Sequence, residues 1–101
     1  MDKAAAHVKA WVEGVGIKGL KTEIIKEKGL SPIIFTEIEG DLPVTIFYYG
    51  HYDKQPPFEG WREGLGPYTP VIVDGKLYGP GGADDGYSTY STMISIKACQ
   101  E

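Results

Sequence analysis

Cysteine is almost absent from this sequence. Cys99 stands alone among 101 residues, so no internal disulfide can staple the fold, and a reducing, cytoplasmic setting is expected. Histidine is nearly as scarce: His7 and His51 are the only two, which leaves few ways to build an imidazole-based centre. There is no Lys/Arg cluster, and 14 acidic against 10 basic side chains give a net charge of -4. Without a run of cations to neutralise phosphates, nucleic acid is not an expected partner. No apolar run approaches the roughly 20 residues that cross a bilayer. The opening Met1-Asp2-Lys3 has neither the apolar stretch nor the cleavage site of a signal peptide, so no membrane partner is expected either. Internal repeats and low-complexity segments are also missing.

What remains is a composition of 42% apolar and 24% charged residues, near the average of globular domains. One domain, residues 1–101, is all this length allows. Asp2 is placed to N-cap a helix over 3–13, with Ala5, Val8, Trp11 and Val12 on one face and Gly14 and Gly16 as the stop. His7, on that helix, reads as a surface histidine. Residues 20–26 and 33–38 are rich in β-branched side chains and read as strands. The run Val44-Thr45-Ile46-Phe47-Tyr48-Tyr49, closed by Gly50, reads as a central strand covered on both faces. Residues 51–70 carry four of the seven prolines together with Gly60, Gly64 and Gly66, marking a long ordered loop of the kind that carries function. Asp74-Gly75 between short extended runs predicts a hairpin. A last helix from about 86 to 98 turns Tyr90, Met93, Ile94 and Ile96 or Cys99 towards a core, so Cys99 reads as a packed thiol. Helix, strands, loop, hairpin and helix together predict a layered α/β sandwich or a portion of one.

Two short strings carry chemistry. His51-Tyr52-Asp53 follows the predicted central strand, the place where open α/β sheets put ligands. A neutral imidazole there can bind zinc, and a carboxylate on its other ring nitrogen would orient it; a plain surface ion pair is the competing reading. Asp84-Asp85 closes a glycine-rich turn. Periodicity alone makes it a helix cap, whereas crowding two carboxylates together gives a metal ion a reason to be there.

Taken together, Tyr49-Gly50-His51-Tyr52-Asp53-Lys54-Gln55-Pro56-Pro57, Glu59-Gly60-Trp61, Asp74-Gly75-Lys76-Leu77-Tyr78-Gly79 and Gly81-Gly82-Ala83-Asp84-Asp85 resemble the metal-site half of the carnosinase and aminoacylase family of two-zinc metallopeptidases. The resemblance is close over 44–101 and extends to the earlier helix and strands in pattern only. It implies a partial α/β/α sandwich with a mixed sheet, an incomplete catalytic domain without its lid. By the same resemblance His51 is a ligand of one Zn2+, Asp53 the catalytic-site residue that orients it, and Asp84 the bridge between two Zn2+, followed by a cis peptide to Asp85. The substrate class it implies is a small peptide or N-acyl amino acid. Pro80 stands where many members carry Arg, and Gly86-Tyr87 matches one subgroup.

The resemblance also calls for a Glu-Glu pair, a further carboxylate and a late His. After Asp85 the sequence holds one acid, Glu101, and no histidine. The expectation is a fragment or truncated relative of a zinc amidohydrolase, inactive by itself and completed by the remainder of a longer chain or by self-association. The alternatives are a non-catalytic binding or self-association module, and a small α/β domain that makes no present use of these strings.

Overall fold

In the computed structural model, which describes residues 1–101, the alanine-rich start folds as α1, Asp2–Gly14, in keeping with alanine's helix propensity. Asp2 does not cap it. Met1 occupies the cap position without a side-chain hydrogen bond, and the Asp2 carboxylate accepts a hydrogen bond from Lys26 instead. That bond and the lysine charge hold Asp2 below the usual carboxylate range.

The chain then forms an antiparallel pair, β1 (Leu20–Ile25) and β2 (Ile33–Ile38), in register from Leu20 opposite Ile38 to Ile25 opposite Ile33. Alternation sends Leu20, Thr22 and Ile24, with Ile34, Thr36 and Ile38, to one half-buried face. The two threonine hydroxyls satisfy each other at 2.8 Å. Val8 and Val12 of α1 pack with Ile17 and Met93, flanked by Leu20, Ile34 and Ile38. Val12, 1% exposed, is the best-buried large side chain.

The strands β3 (Val71–Val73) and β4 (Lys76–Tyr78) form the expected hairpin. Its turn residues Asp74 and Gly75 both have positive φ, 50° and 74°, which suits an Asp-Gly pair. Residues 51–70 stay irregular, pinned by the stacked rings of Phe58 and Trp61, 5.3 Å between centroids. The Trp61 indole N–H also donates to the Phe58 carbonyl at 2.9 Å.

The last helix, α2 (Tyr87–Gln100), lies against α1. Trp11 and Tyr90 meet edge to face at 4.5 Å, and Lys97 donates to the Val15 carbonyl at 2.8 Å. The Gln100 amide brackets Lys18, accepting from its N–H at 2.8 Å and donating to its carbonyl at 3.0 Å. The inward stripe therefore runs through Tyr90, Met93 and Ile96. Ile94, 58% exposed, and Cys99, an exposed free thiol, do not face a core as the sequence suggested. Only one face of α2 has an element beneath it.

A larger correction concerns Val44–Tyr49, which forms no strand. Ile46 is 72% and Phe47 82% exposed. A central strand needs a strand on each side, and here β1 pairs only with β2 and β3 only with β4. The fold is mixed α/β, but both of its sheets are two-stranded and antiparallel, so no mixed sheet is formed. The radius of gyration, 16.1 Å, exceeds the roughly 13 Å of a compact domain this long, because the middle of the chain stands away from the core. No helix is long and apolar enough to cross a membrane.

Candidate metal centre

His51 follows the exposed apolar run, and Asp84 lies in the turn Gly82–Gly86 ahead of α2. The turn closes on itself through the Gly86 N–H, which donates to the Gly81 carbonyl at 2.7 Å. Gly81 sits at φ 83°, a backbone state open to glycine at little cost. The peptide between Asp84 and Asp85 is cis, as the resemblance implies. Neither aspartate caps α2: Gly86 holds that position and no side chain bonds there.

The structure brings all three predicted side chains together. His51 Nδ1 lies 3.0 Å from Asp53 Oδ1, and Nε2 lies 3.1 Å from Asp84 Oδ1. The Asp53 carbonyl is also within 3.3 Å of Nδ1. The imidazole is 37% exposed, against 69% for Asp53 and 71% for Asp84, so the site is open to solvent. Partial burial alone would lower the His51 pKa. The carbonyl, charge and carboxylate of Asp53 and then the charge of Asp84 outweigh it, leaving His51 above its ordinary 6.5.

This arrangement constrains the ring chemistry. A neutral imidazole that donates its Nδ1 proton to Asp53 turns the bare lone pair of Nε2 towards the Asp84 carboxylate. Two acceptors 3.1 Å apart repel unless something positive lies between them. A proton meets that need below the raised His51 pKa, and a divalent cation would do so above it. Two atoms bound to one tetrahedral zinc at 2.0–2.1 Å stand about 3.3 Å from each other, close to the observed gap. His51, Asp53 and Asp84 therefore fit a metal ligand, its orienting partner and a second ligand. No group of three or more His, Cys, Asp or Glu side chains is gathered to hold a metal, so the pair falls short of the three protein ligands usual at a catalytic zinc.

A model of peptidase family M20/M25/M40 matches residues 47–101, more than half of the chain and the whole of the region just described. The chain belongs to this peptidase family. It is 42% identical over 59 residues to a Beta-Ala-His dipeptidase of Mus musculus, an alignment covering 55% of this chain and 12% of that protein. It is 27% identical over 85 residues to a succinyl-diaminopimelate desuccinylase of Sulfurovum sp. (strain NBC37-1), covering 84% of this chain and 22% of the relative. An uncharacterized metallohydrolase of Methanocaldococcus jannaschii is 33% identical over 75 residues, 73% of this chain and 18% of that one. The chain thus spans less than a quarter of the length of these relatives.

Two features around these residues are not legible in the sequence. The His51 N–H donates to Asp85 Oδ2 at 3.3 Å, a tie that cannot be read from residues 34 positions apart. The Tyr52 hydroxyl donates to the Pro32 carbonyl, fastening the site to the start of β2. An open, largely apolar groove lined by Pro70, Leu77, Tyr78, Pro80, Ala83 and Tyr87 runs beside the Asp84 turn.

Proposed function

We propose that this chain is the metal-site portion of a zinc-dependent amidohydrolase that cleaves peptide or N-acyl amide bonds, with His51 and Asp84 as ligands and Asp53 orienting His51. The observation that carries the reading is the His51 imidazole held between two carboxylates, with its free nitrogen facing an acceptor. When bound, zinc would supply the Lewis acidity that polarises an amide carbonyl. Within this chain Asp53 holds the Nδ1 proton and fixes the ring, Asp84 presents an anionic oxygen, and the groove beside Gly82-Ala83 offers an apolar wall to a substrate side chain. In the whole enzyme the run Val44–Tyr49 would be the middle of a mixed sheet in an α/β/α sandwich, and a second zinc and further ligands would come from the rest of the protein. The relatives named as dipeptidase and desuccinylase support small peptides or N-acyl amino acids as the substrate class. The lone cysteine favours the cytosol.

Calorimetric zinc titration of the parent, His51→Ala and Asp84→Ala tests this. Saturable binding lost in both variants is expected; equal binding by all three refutes the site. The 101-residue chain alone is expected to show no dipeptide hydrolysis with added zinc, and turnover would contradict the shortage of ligands and of a general base.

A second reading has its own observation. The apolar side chains of Val44, Ile46, Phe47, Tyr48 and Tyr49, close together in the chain, are all exposed, and apolar side chains left uncovered in this way favour association. A non-catalytic module pairing two copies through this run would elute as a dimer, and Phe47→Asp would return it to a monomer.

A further inference from the structure

Asp85 is the acid of the Gly82–Gly86 turn to which the metal reading assigns no task. We propose that Asp85 and Ser88, together with the bare backbone of Gly50, form a positioning latch that fixes the His51 main chain against the start of α2 and so sets the His51–Asp84 separation for a divalent cation. The proposal rests on the metal-site reading above and extends it to residues that touch no metal themselves.

Residues 44–50 belong to no sheet, so no ladder of backbone bonds holds His51 in place. Its N–H meets the Asp85 carboxylate at 3.3 Å, and an ionised acceptor makes such a bond stronger than a neutral one would. The approach is close. A Cβ at Gly50 would lie 2.2 Å from Ser88 Oγ, 3.0 Å from Ser88 Cβ and 3.2 Å from Asp85 Oδ2. The Ser88 hydroxyl is itself held, donating to the Asp85 carbonyl at 2.9 Å. On the other side the turn is equally tight, since a Cβ at Gly86 would lie 2.4 Å from the Gly81 carbonyl oxygen that accepts the Gly86 N–H. Adjacent aspartates thus divide the work: Asp84 faces the imidazole and Asp85 faces the backbone that carries it.

The test uses the 101-residue chain and cobalt(II) as the metal, read by its visible ligand-field absorption, beside amide hydrogen exchange at His51 in the metal-free state. Circular dichroism checks that each variant is folded. Asp85→Ala is expected to lose the protection of the His51 amide and to weaken cobalt binding about tenfold or more, the cost typical of losing a residue that supports a ligand. Asp85→Asn keeps an acceptor oxygen and should retain most of both. Gly50→Ala, whose Cβ would crowd both Ser88 and Asp85, should behave like Asp85→Ala. Wild-type cobalt affinity and unchanged His51 protection in Asp85→Ala would overturn the latch, as would a harmless Gly50→Ala. If the parent takes up no cobalt but loses His51 protection in Asp85→Ala, the metal reading falls, and the latch loses its role in spacing a cation site.

Discussion

Removing the Asp53 carboxylate changes the proposed site in two ways that pull against each other. In Asp53→Ala the ring loses its 3.0 Å contact at Nδ1 but keeps the Asp53 main-chain carbonyl at 3.3 Å as an acceptor. Losing an orienting partner of this kind typically weakens metal binding about 10–100-fold. The surviving carbonyl and the 69% exposure of the carboxylate place this case near the lower end, about tenfold. The second effect concerns the proton that competes for Nε2. Asp53 helps hold His51 above 6.5, so its removal moves the pKa down, and protonation begins to displace metal only at lower pH. Zinc affinities of parent and variant should therefore differ about tenfold at pH well above both His51 pKa values and converge as the pH falls through them. In the metal-free chain the linkage runs the other way. A raised histidine pKa adds stability that is fully present below the unfolded value, near 6.5, and lost as pH rises through the folded one. Asp53→Ala forfeits that acid-side increment. Calorimetry across pH 5.5–8, with the His51 titration followed by NMR, measures both effects. Parallel affinity curves, or an unmoved His51 pKa, would refute the reasoning.

Other perturbations give equally definite expectations. Val12→Ala, at the best-buried position, should cost about 2 kcal/mol in urea unfolding, from two lost methyl groups at about 0.8 kcal/mol each plus a residual cavity. Tyr52→Phe removes the bond to the Pro32 carbonyl and should cost about 1 kcal/mol at pH 7. Burial, then the charges of Asp2 and Asp53, raise the Tyr52 pKa above 10, so this difference should shrink in unfolding measured above pH 10, where the unfolded phenol ionises first. Gly75→Val forces a β-branched residue to φ 74° and should destabilise the hairpin by about 1–2 kcal/mol, seen as faster amide exchange in Val71–Val73.

Much of this was legible in the chain because it is written locally. The 3.6-residue spacing of Ala5, Val8 and Val12 and the alternation of Leu20–Ile25 against Ile33–Ile38 state both an element and the face it buries. Asp74-Gly75 states a turn. The convergence of His51, Asp53 and Asp84 came from a string whose order and punctuation match one family, and not from any spacing rule. Val44–Tyr49 forms no strand in this chain: an apolar run announces a demand for burial and says nothing of whether neighbouring strands are present to meet it. Ile94 and Cys99 failed for a related reason, since helical periodicity does not reveal how many faces of α2 are covered. Asp85 was hidden because its partner is a backbone N–H, which every residue but proline carries.

The Gln100 amide, which takes both polar groups of the Lys18 peptide, ties positions 82 residues apart. Since Lys97 reaches Val15 in the same way, the hydrophobic centre is built from the first forty residues and the final helix. Everything from Gly40 to Gly86 is one excursion that leaves this centre and comes back. Closing a loop this long costs entropy that rises only by about 0.6 kcal/mol per doubling, so lengthening its tip near Glu63-Gly64 should hardly disturb the helices. The penalty falls on speed instead: contacts so distant along the chain form late, and the outward run of apolar side chains stays uncovered throughout.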